Sequence, residues 1–242
     1  MATMIKTGVE GLDELFKGGL KENSSILLQG SPGTGKTILA LQFIYQGALM
    51  GEPGLFITSE IKADDLREYA LSLGMDLRPL EKKGIFHIVE QPILRGNIVS
   101  IDTPLKIIKQ SKIKRVVLDS LTLFQYEFDH NTTSLRKALL TFISSMKAAG
   151  VTLMVTAERT IEGVRNIRFE PEDFLFDGLI FLIRVRKGAS YERCLSIMKM
   201  RGQDHSTEIY PISIGKGGVK VYPEEIPFAL IDDDVRRGNG IK

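Results

Sequence analysis

Residues 30–37 read Gly-Ser-Pro-Gly-Thr-Gly-Lys-Thr, directly after the compact apolar run Ser25–Gln29 and directly before a stretch with helical spacing. This is the pattern G-x-x-x-x-G-K-[ST] in the strand–turn–helix setting that its mechanism requires. The glycines let backbone N–H groups curl around phosphate oxygens without a Cβ clash. Lys36 then sets an ammonium against the β- and γ-phosphates, the Thr37 hydroxyl ligates Mg²⁺, and the following helix aims its positive end at the same charge. The candidate contacts to ATP or ADP are therefore Gly30, Ser31, Pro32, Gly33, Thr34, Gly35, Lys36, Thr37 and Ile38.

The rest of the chain builds around that turn. Ile38, Leu41, Ile44, Tyr45, Ala48 and Leu49 share a helical face, and strand-like runs follow at Gly54–Ser59, Gly84–Val89, Arg115–Leu118 and Val151–Thr156. Helical stretches at Ala63–Leu73, Thr103–Gln110 and Ser134–Ala149 separate them. The residues Thr7–Phe16 read as a short amphipathic helix closed by Gly18-Gly19. Strands alternating with helices predict an α/β fold with a largely parallel, doubly wound sheet, since right-handed crossovers cover both faces. After Asp177 the grammar changes to Leu179–Val185, Arg193–Met200, Glu208–Ile214 and Val219–Val221, split by turn residues, which predicts an antiparallel extension. With 43% hydrophobic and 26% charged residues in 242, one domain over 1–229 with a polar tail at 230–242 is expected.

Hydrolysis needs a metal-organising carboxylate and a group that orients water. Val116-Val117-Leu118-Asp119 delivers Asp119 from a buried strand, where it would help hold Mg²⁺ together with Thr37. Ser120 follows Asp119, so the general base must come from another strand end, and Glu60, Glu90 and Glu158 are the candidates. Position outside the carboxyl ends of the strands suits all three, with Glu60 after the strand next to the P-loop helix.

Thr7-Gly-Val-Glu-Gly-Leu-Asp-Glu-Leu15, the P-loop, Phe56-Ile-Thr-Ser-Glu60, Val117-Leu-Asp-Ser120 and Ile197-Met-Lys-Met-Arg-Gly202 resemble, in that order, the KaiC-like branch of the RecA superfamily of ATPases. The likeness runs from about Thr7 to Pro223 and implies a RecA-like P-loop core. It implies that Glu60 is the catalytic glutamate. It also implies that Lys199, Arg201 and His205 reach the nucleotide of a neighbouring subunit, in a homo-oligomer for which a hexameric ring is expected. Alternate residues Lys199 and Arg201 project to one face of a strand, where two cations could stabilise transition-state charge. The pattern departs from the family at Ile61, where a second glutamate is frequent, so slow hydrolysis is compatible. The segment Phe174-Leu-Phe-Asp177-Gly178 holds no hydroxyl where the two-domain clock ATPases are phosphorylated, which argues against clock-type switching. Self-phosphorylation elsewhere is not decided by sequence.

A second reading is a nucleotide-gated binding module, its partner single-stranded DNA or a protein, with hydrolysis incidental. The segments Gln125–Thr133 and Arg159–Asp173 are the DNA candidates, through Arg159, Arg165, Arg168 and Phe169. Glu162, Glu170, Glu172 and Asp173 neutralise the second segment, which favours a solvated loop. The ATPase region begins within a few residues of the start, so a recombinase with an amino-terminal DNA-binding module is not expected, an accessory repair role being compatible. Net charge is only +2, so no overall basic field advertises nucleic acid. Cys194 is a lone cysteine, which excludes an internal disulfide framework and a multi-cysteine zinc site. His87 and His130 lack ligand spacing, and Lys106, Lys109, Lys112 and Lys114 read as a solvated face. Apolar runs are too short to span a bilayer and no export signal is visible, so a cytoplasmic chain is expected.

Overall fold

The computed structural model describes residues 3–91, 102–121, 124, 128, 132–160, 169–187 and 189–228. The chain begins with β1 (Met4–Ile5), α1 (Leu12–Leu15) and β2 (Leu20–Lys21), β1 and β2 pairing as a small antiparallel ribbon. The main sheet then takes β3 (Ser25–Gly30), β4 (Gly54–Thr58), β5 (Phe86–Glu90), β6 (Arg115–Asp119) and β7 (Thr152–Glu158), all parallel. Their connections contain α2 (Lys36–Leu49), α3 (Ala63–Ser72), α4 (Arg78–Lys82), α5 (Asp102–Gln110) and α6 (Thr132–Ala148). A 3₁₀ turn, Pro171–Phe174, leads into β8 (Gly178–Lys187), followed by β9 (Ser190–Met200), β10 (Ile209–Gly215) and β11 (Gly218–Val221). The strand order is β11-β10-β9-β8-β3-β7-β6-β4-β5. β8 runs parallel to β3, and the three later strands are antiparallel. The parallel half and the antiparallel extension are thus one continuous sheet.

Alternation along β3 explains the two cores. Ile26 and Leu28 face α1 and α2, packing with Leu12, Leu39 and Phe43, whereas Leu27 faces α6, packing with Leu139, Phe142 and Met146. Strands buried on both faces read as continuous apolar runs because no side is left for water.

Two local expectations fail, for related reasons. Thr7–Phe16 is helical only over Leu12–Leu15, because Gly8 and Gly11 hold φ of 72° and 80°. The Thr7 hydroxyl and N–H instead both donate to Asp13 Oδ1, at 2.8 and 2.7 Å, and clamp the loop. That loop lies over α2 so closely that a Cβ on Gly8 would sit 2.3 Å from Gln46 Cβ. As a result α2 is buried nearly all round, with Leu39, Ala40 and Phe43 inaccessible, whereas the expected face residue Leu49 is 55% exposed. The helix α4 and the β1–β2 ribbon are too short to carry a periodic signal. Cys194 is buried and its thiol pushed up to about 12 by desolvation, as a structural cysteine should be. The lysines 106, 109, 112 and 114 are all exposed. The tail 230–242 lies outside the described residues, as does His130.

Candidate nucleotide site

β3 ends at Gly30, whose tight packing leaves no room for a side chain: a Cβ there would meet Leu182 O at 2.4 Å. Gly33 and Gly35 turn the chain with φ of 74° and 106°, values that favour glycine. The helix α2 starts at Lys36 with no side-chain cap and no acid in its first turn. Its first N–H groups therefore lack the partners that a carboxylate or hydroxyl normally supplies, which leaves them open to an anion such as phosphate. Ile38 is itself buried, so only its backbone can face that ligand. Thr34 Oγ1 donates to Ser31 O at 2.8 Å and fixes the turn, while Pro32 and Gly33 are exposed at its crest.

Lys36 Nζ donates to Gly30 O and Ser31 O at 2.9 and 3.2 Å. Desolvation lowers its pKa, and the charges of Glu158, Asp119 and Glu60 act in the opposite sense. Three carboxylates from three strand ends thus converge on the P-loop ammonium.

Asp119 is 4% exposed and closes the floor of the site. Thr37 Oγ1 donates to its Oδ2 at 3.0 Å, and Thr156 Oγ1 donates to its Oδ1. Burial raises its pKa, opposed by the Thr156 and Thr37 hydroxyls, increased by Glu60 and opposed again by Lys36. The peptide between Asp119 and Ser120 is cis. Ser120 Oγ donates to Glu60 Oε1 at 2.5 Å, which ties the candidate base to the same strand end. A hydroxyl and a carboxylate side by side are hard oxygen donors of the kind Mg²⁺ takes alongside phosphates and water. Among the described residues no group of three or more His, Cys, Asp or Glu could hold a metal unaided.

The three candidate bases separate. Glu90 Oε1 accepts the Ala63 N–H at 2.7 Å and so caps α3. Glu158 closes β7 directly opposite Gly30 rather than lying past the strand. Glu60 lies between Ser120 and the Lys36 field. Sequence reading also passed over Arg193, whose Nε donates to Gly33 O at 3.2 Å from the β8–β9 hairpin. No spacing rule predicts that contact, which arises because β8 pairs with β3.

Lys199, Arg201 and His205 lie elsewhere. Leu182 pairs with Gly30, but Lys199 pairs with Leu179, three residues lower and one strand further out. At about 3.3 Å per residue and about 4.8 Å per strand, the Lys199 Cα is about 14 Å from Gly30, on the side away from the loop crest. Lys199 Nζ donates to Asp173 O and Arg201 Nη2 to Phe174 O, both at 2.8 Å. Desolvation, with Arg201 next, lowers the Lys199 pKa. His205 Nδ1 lies 2.9 Å from Ser206 O, and the Ser206 N–H donates to Leu15 O. These three residues share the amino-terminal end of the sheet, opposite their own P-loop.

A family model described as "ATPase: KaiC" matches residues 5–226. The chain belongs to the KaiC-like ATPases. A KaiC-like protein from Pyrococcus horikoshii, PH0186, known from its crystal structure, superposes with a TM-score of 0.81 at 36% identity, covering 92% of this chain and 100% of that one. The circadian clock oscillator protein KaiC of Parathermosynechococcus lividus is 33% identical over 228 residues, covering 90% of this chain and 42% of that protein. The UPF0273 protein PH0284 of P. horikoshii is 29% identical over 242 residues, covering 93% and 96%. The chain therefore spans about half the length of the clock proteins it matches, or less. The parallel RecA-type core with its antiparallel extension is the fold of this KaiC-like family. No described helix is long and apolar enough to cross a membrane.

Proposed function

We propose that this chain is a Mg²⁺-dependent ATPase whose active site is completed by a second copy of itself. The observation that carries the reading is the placement of Lys199 and Arg201 at the sheet end opposite their own P-loop. Cations at one end and a phosphate cradle at the other fit a head-to-tail contact, in which each subunit offers its fingers to the next. Such heterologous contacts close into rings, and a hexamer is the assembly we expect.

Within one subunit, the Gly30–Ile38 backbone and Lys36 would hold the phosphates. Thr37 and Asp119 would hold Mg²⁺, which when bound neutralises charge on the β- and γ-phosphate oxygens. Glu60, held by Ser120, would orient and deprotonate the attacking water. From the neighbour, Lys199 and Arg201 would meet the charge that develops on the transferred phosphoryl group, with His205 beside them. Because Arg159 is bound to Gln29 and Asp173, its side chain turns toward the sheet rather than toward an external phosphate, which weakens the DNA reading at that residue. Residues 165 and 168 lie outside the described residues.

ATP turnover measured across a protein-concentration series, with and without single-stranded DNA, tests the proposal. Turnover per subunit that rises with concentration and needs Mg²⁺ is expected. Bound ATP without turnover at any concentration would replace it with the nucleotide-gated binding module.

A further inference from the structure

The shared-site reading leaves unused a buried charge pair that lies between the two ends of the sheet. Arg159 follows β7, and its backbone brackets the start of the P-loop: its N–H donates to Gly30 O at 3.1 Å, and Ser31 Oγ donates to its carbonyl at 3.2 Å. Gly30 and Ser31 are the same two residues whose carbonyls receive the Lys36 ammonium. The Arg159 side chain then turns across the sheet face, its guanidinium 5.5 Å from the Phe181 ring centroid. Its Nη1 donates to Gln29 Oε1 at 2.8 Å and to Asp173 Oδ2 at 2.6 Å.

Asp173 is 1% exposed. Its Oδ2 also accepts the Glu170 N–H at 2.8 Å, whereas its Oδ1 has no hydrogen-bond partner among the described residues. Its backbone carbonyl is the acceptor for Lys199 Nζ, and the next carbonyl, that of Phe174, is the acceptor for Arg201. One residue thus has its side chain tied toward its own P-loop and its main chain tied to the cations that face the neighbour.

We infer that the Arg159–Asp173 pair couples the Lys199 and Arg201 cations to the P-loop of their own subunit, so that ATP bound at one interface changes ATP binding at the next. This inference rests on the shared-site reading. When the neighbour's phosphate draws Lys199 and Arg201, the 173–174 carbonyls lose or share their donors. The 3₁₀ turn then shifts against a buried ion pair, which tolerates little drift because a misplaced partner leaves charge unpaired. The orphan Oδ1 gives the pair a second arrangement, since rotation of the carboxylate would exchange which oxygen is satisfied. Arg159 passes the choice to Gly30 and Ser31 through its backbone bonds. Linkage makes the effect reciprocal: ATP in the P-loop alters the readiness of the same subunit's cations.

The test is steady-state ATP turnover against ATP concentration for the assembled full chain, comparing wild type with Asp173→Asn and Arg159→Lys, the assembly mass being checked by light scattering. The wild type should depart from a Hill coefficient of one. Both variants should move toward one, Asp173→Asn keeping saturated turnover within about threefold, against the roughly 5–150-fold range of site-to-site couplings. A hyperbolic wild type, or variants that keep the wild-type Hill coefficient in assemblies of unchanged mass, would overturn the coupling. Assembly lost in both variants would also count against it, because a plain structural brace would then explain the pair. Lys199→Ala read in the same assay separates the two claims. Normal turnover in that variant sinks the shared site, whereas slow turnover alongside fully cooperative Asp173→Asn sinks only the coupling.

Discussion

The P-loop helix is tied to the Asp119 strand at both ends, and the deeper tie gives a stability prediction with a definite size. Near the site, Thr37 bonds Asp119. At the other end Arg115, which opens β6 and is 0% exposed, donates from Nη1 to Phe43 O in α2 at 2.8 Å and from Nε to Glu52 Oε2 at 2.7 Å. Its guanidinium carbon lies 4.7 Å from the Phe43 ring centroid, and Gly47 is small because a Cβ there would fall 2.3 Å from Arg115 Nε. Desolvation lowers the Arg115 pKa, and the hydrogen bond and charge of Glu52 act against it. Glu52→Ala would leave this cation buried without its counter-charge, a change that costs about 3–5 kcal/mol in a fully buried pair. The Glu52 side chain is 37% exposed, so water can reach that edge of the guanidinium. We therefore take a value below that range, about 2–3 kcal/mol, equivalent to a melting temperature lower by about 4–12 °C in a domain of this size. Glu52→Gln keeps an acceptor and should lose less. Arg115→Met combined with Glu52→Gln should be less damaging than Glu52→Ala alone, since removing both charges leaves no desolvated cation without its counter-charge. Urea titrations at equilibrium give the three values. A Glu52→Ala protein within about 0.5 kcal/mol of wild type, the scale of ordinary surface substitutions, would refute the reasoning.

Lys36→Ala should abolish turnover, and Glu60→Gln should still bind ATP while hydrolysing it at least about tenfold more slowly, a floor set below the roughly 10²–10⁴-fold that a positioned general base contributes. Fluorescent-nucleotide binding beside phosphate release reads both, and normal Glu60→Gln turnover would move the base elsewhere, with Glu158 next in line. Asp177 accepts the Ser25 N–H at 2.8 Å, Ser25 Oγ at 2.9 Å and Lys147 Nζ at 2.8 Å. Burial pushes its pKa up, but the Lys147 and Ser25 bonds outweigh this and leave it below the ordinary aspartate value of 3.8. A depressed carboxylate stabilises above its unfolded pKa and loses that contribution as pH falls through the folded one. The stability gap between wild type and Asp177→Asn should thus be largest near pH 7 and shrink below pH 3.8. Denaturant midpoints at both pH values check it, and a gap that widens in acid would contradict the sign.

The Gly30–Thr37 turn and the helix start behind it were legible in sequence because their signal is local: one loop and one helix terminus carry it. Asp119 and the alternating strands were legible for the same reason, each being a short run with its own signal. What sequence did not convey is contact made across strand order. Arg193 reaches Gly33 only because β8 joins β3, and Glu158 faces Gly30 only through the β3–β7 register. The apolar pattern of α2 predicted one buried face, whereas the amino-terminal loop and β11 cover the other, with Gln42 bridging Gly8 O and Val219. Spacing between Lys199 and Arg201 predicted one strand face, but β9 stops at Met200 and Arg201 opens the turn that follows, and their distance from their own P-loop needed the antiparallel register of β9.

A site shared between copies is tested most directly by mixing two defective proteins. One carries Glu60→Gln with its cations intact, and the other carries Lys199→Ala and Arg201→Ala with its glutamate intact. Each alone should turn over slowly. Mixed in equal amounts and allowed to exchange subunits, they should recover about a quarter of wild-type turnover, because one interface in four of a randomly mixed head-to-tail ring pairs a good glutamate with good cations. Turnover no higher than the average of the two parents, in assemblies shown to have exchanged, would contradict the shared site.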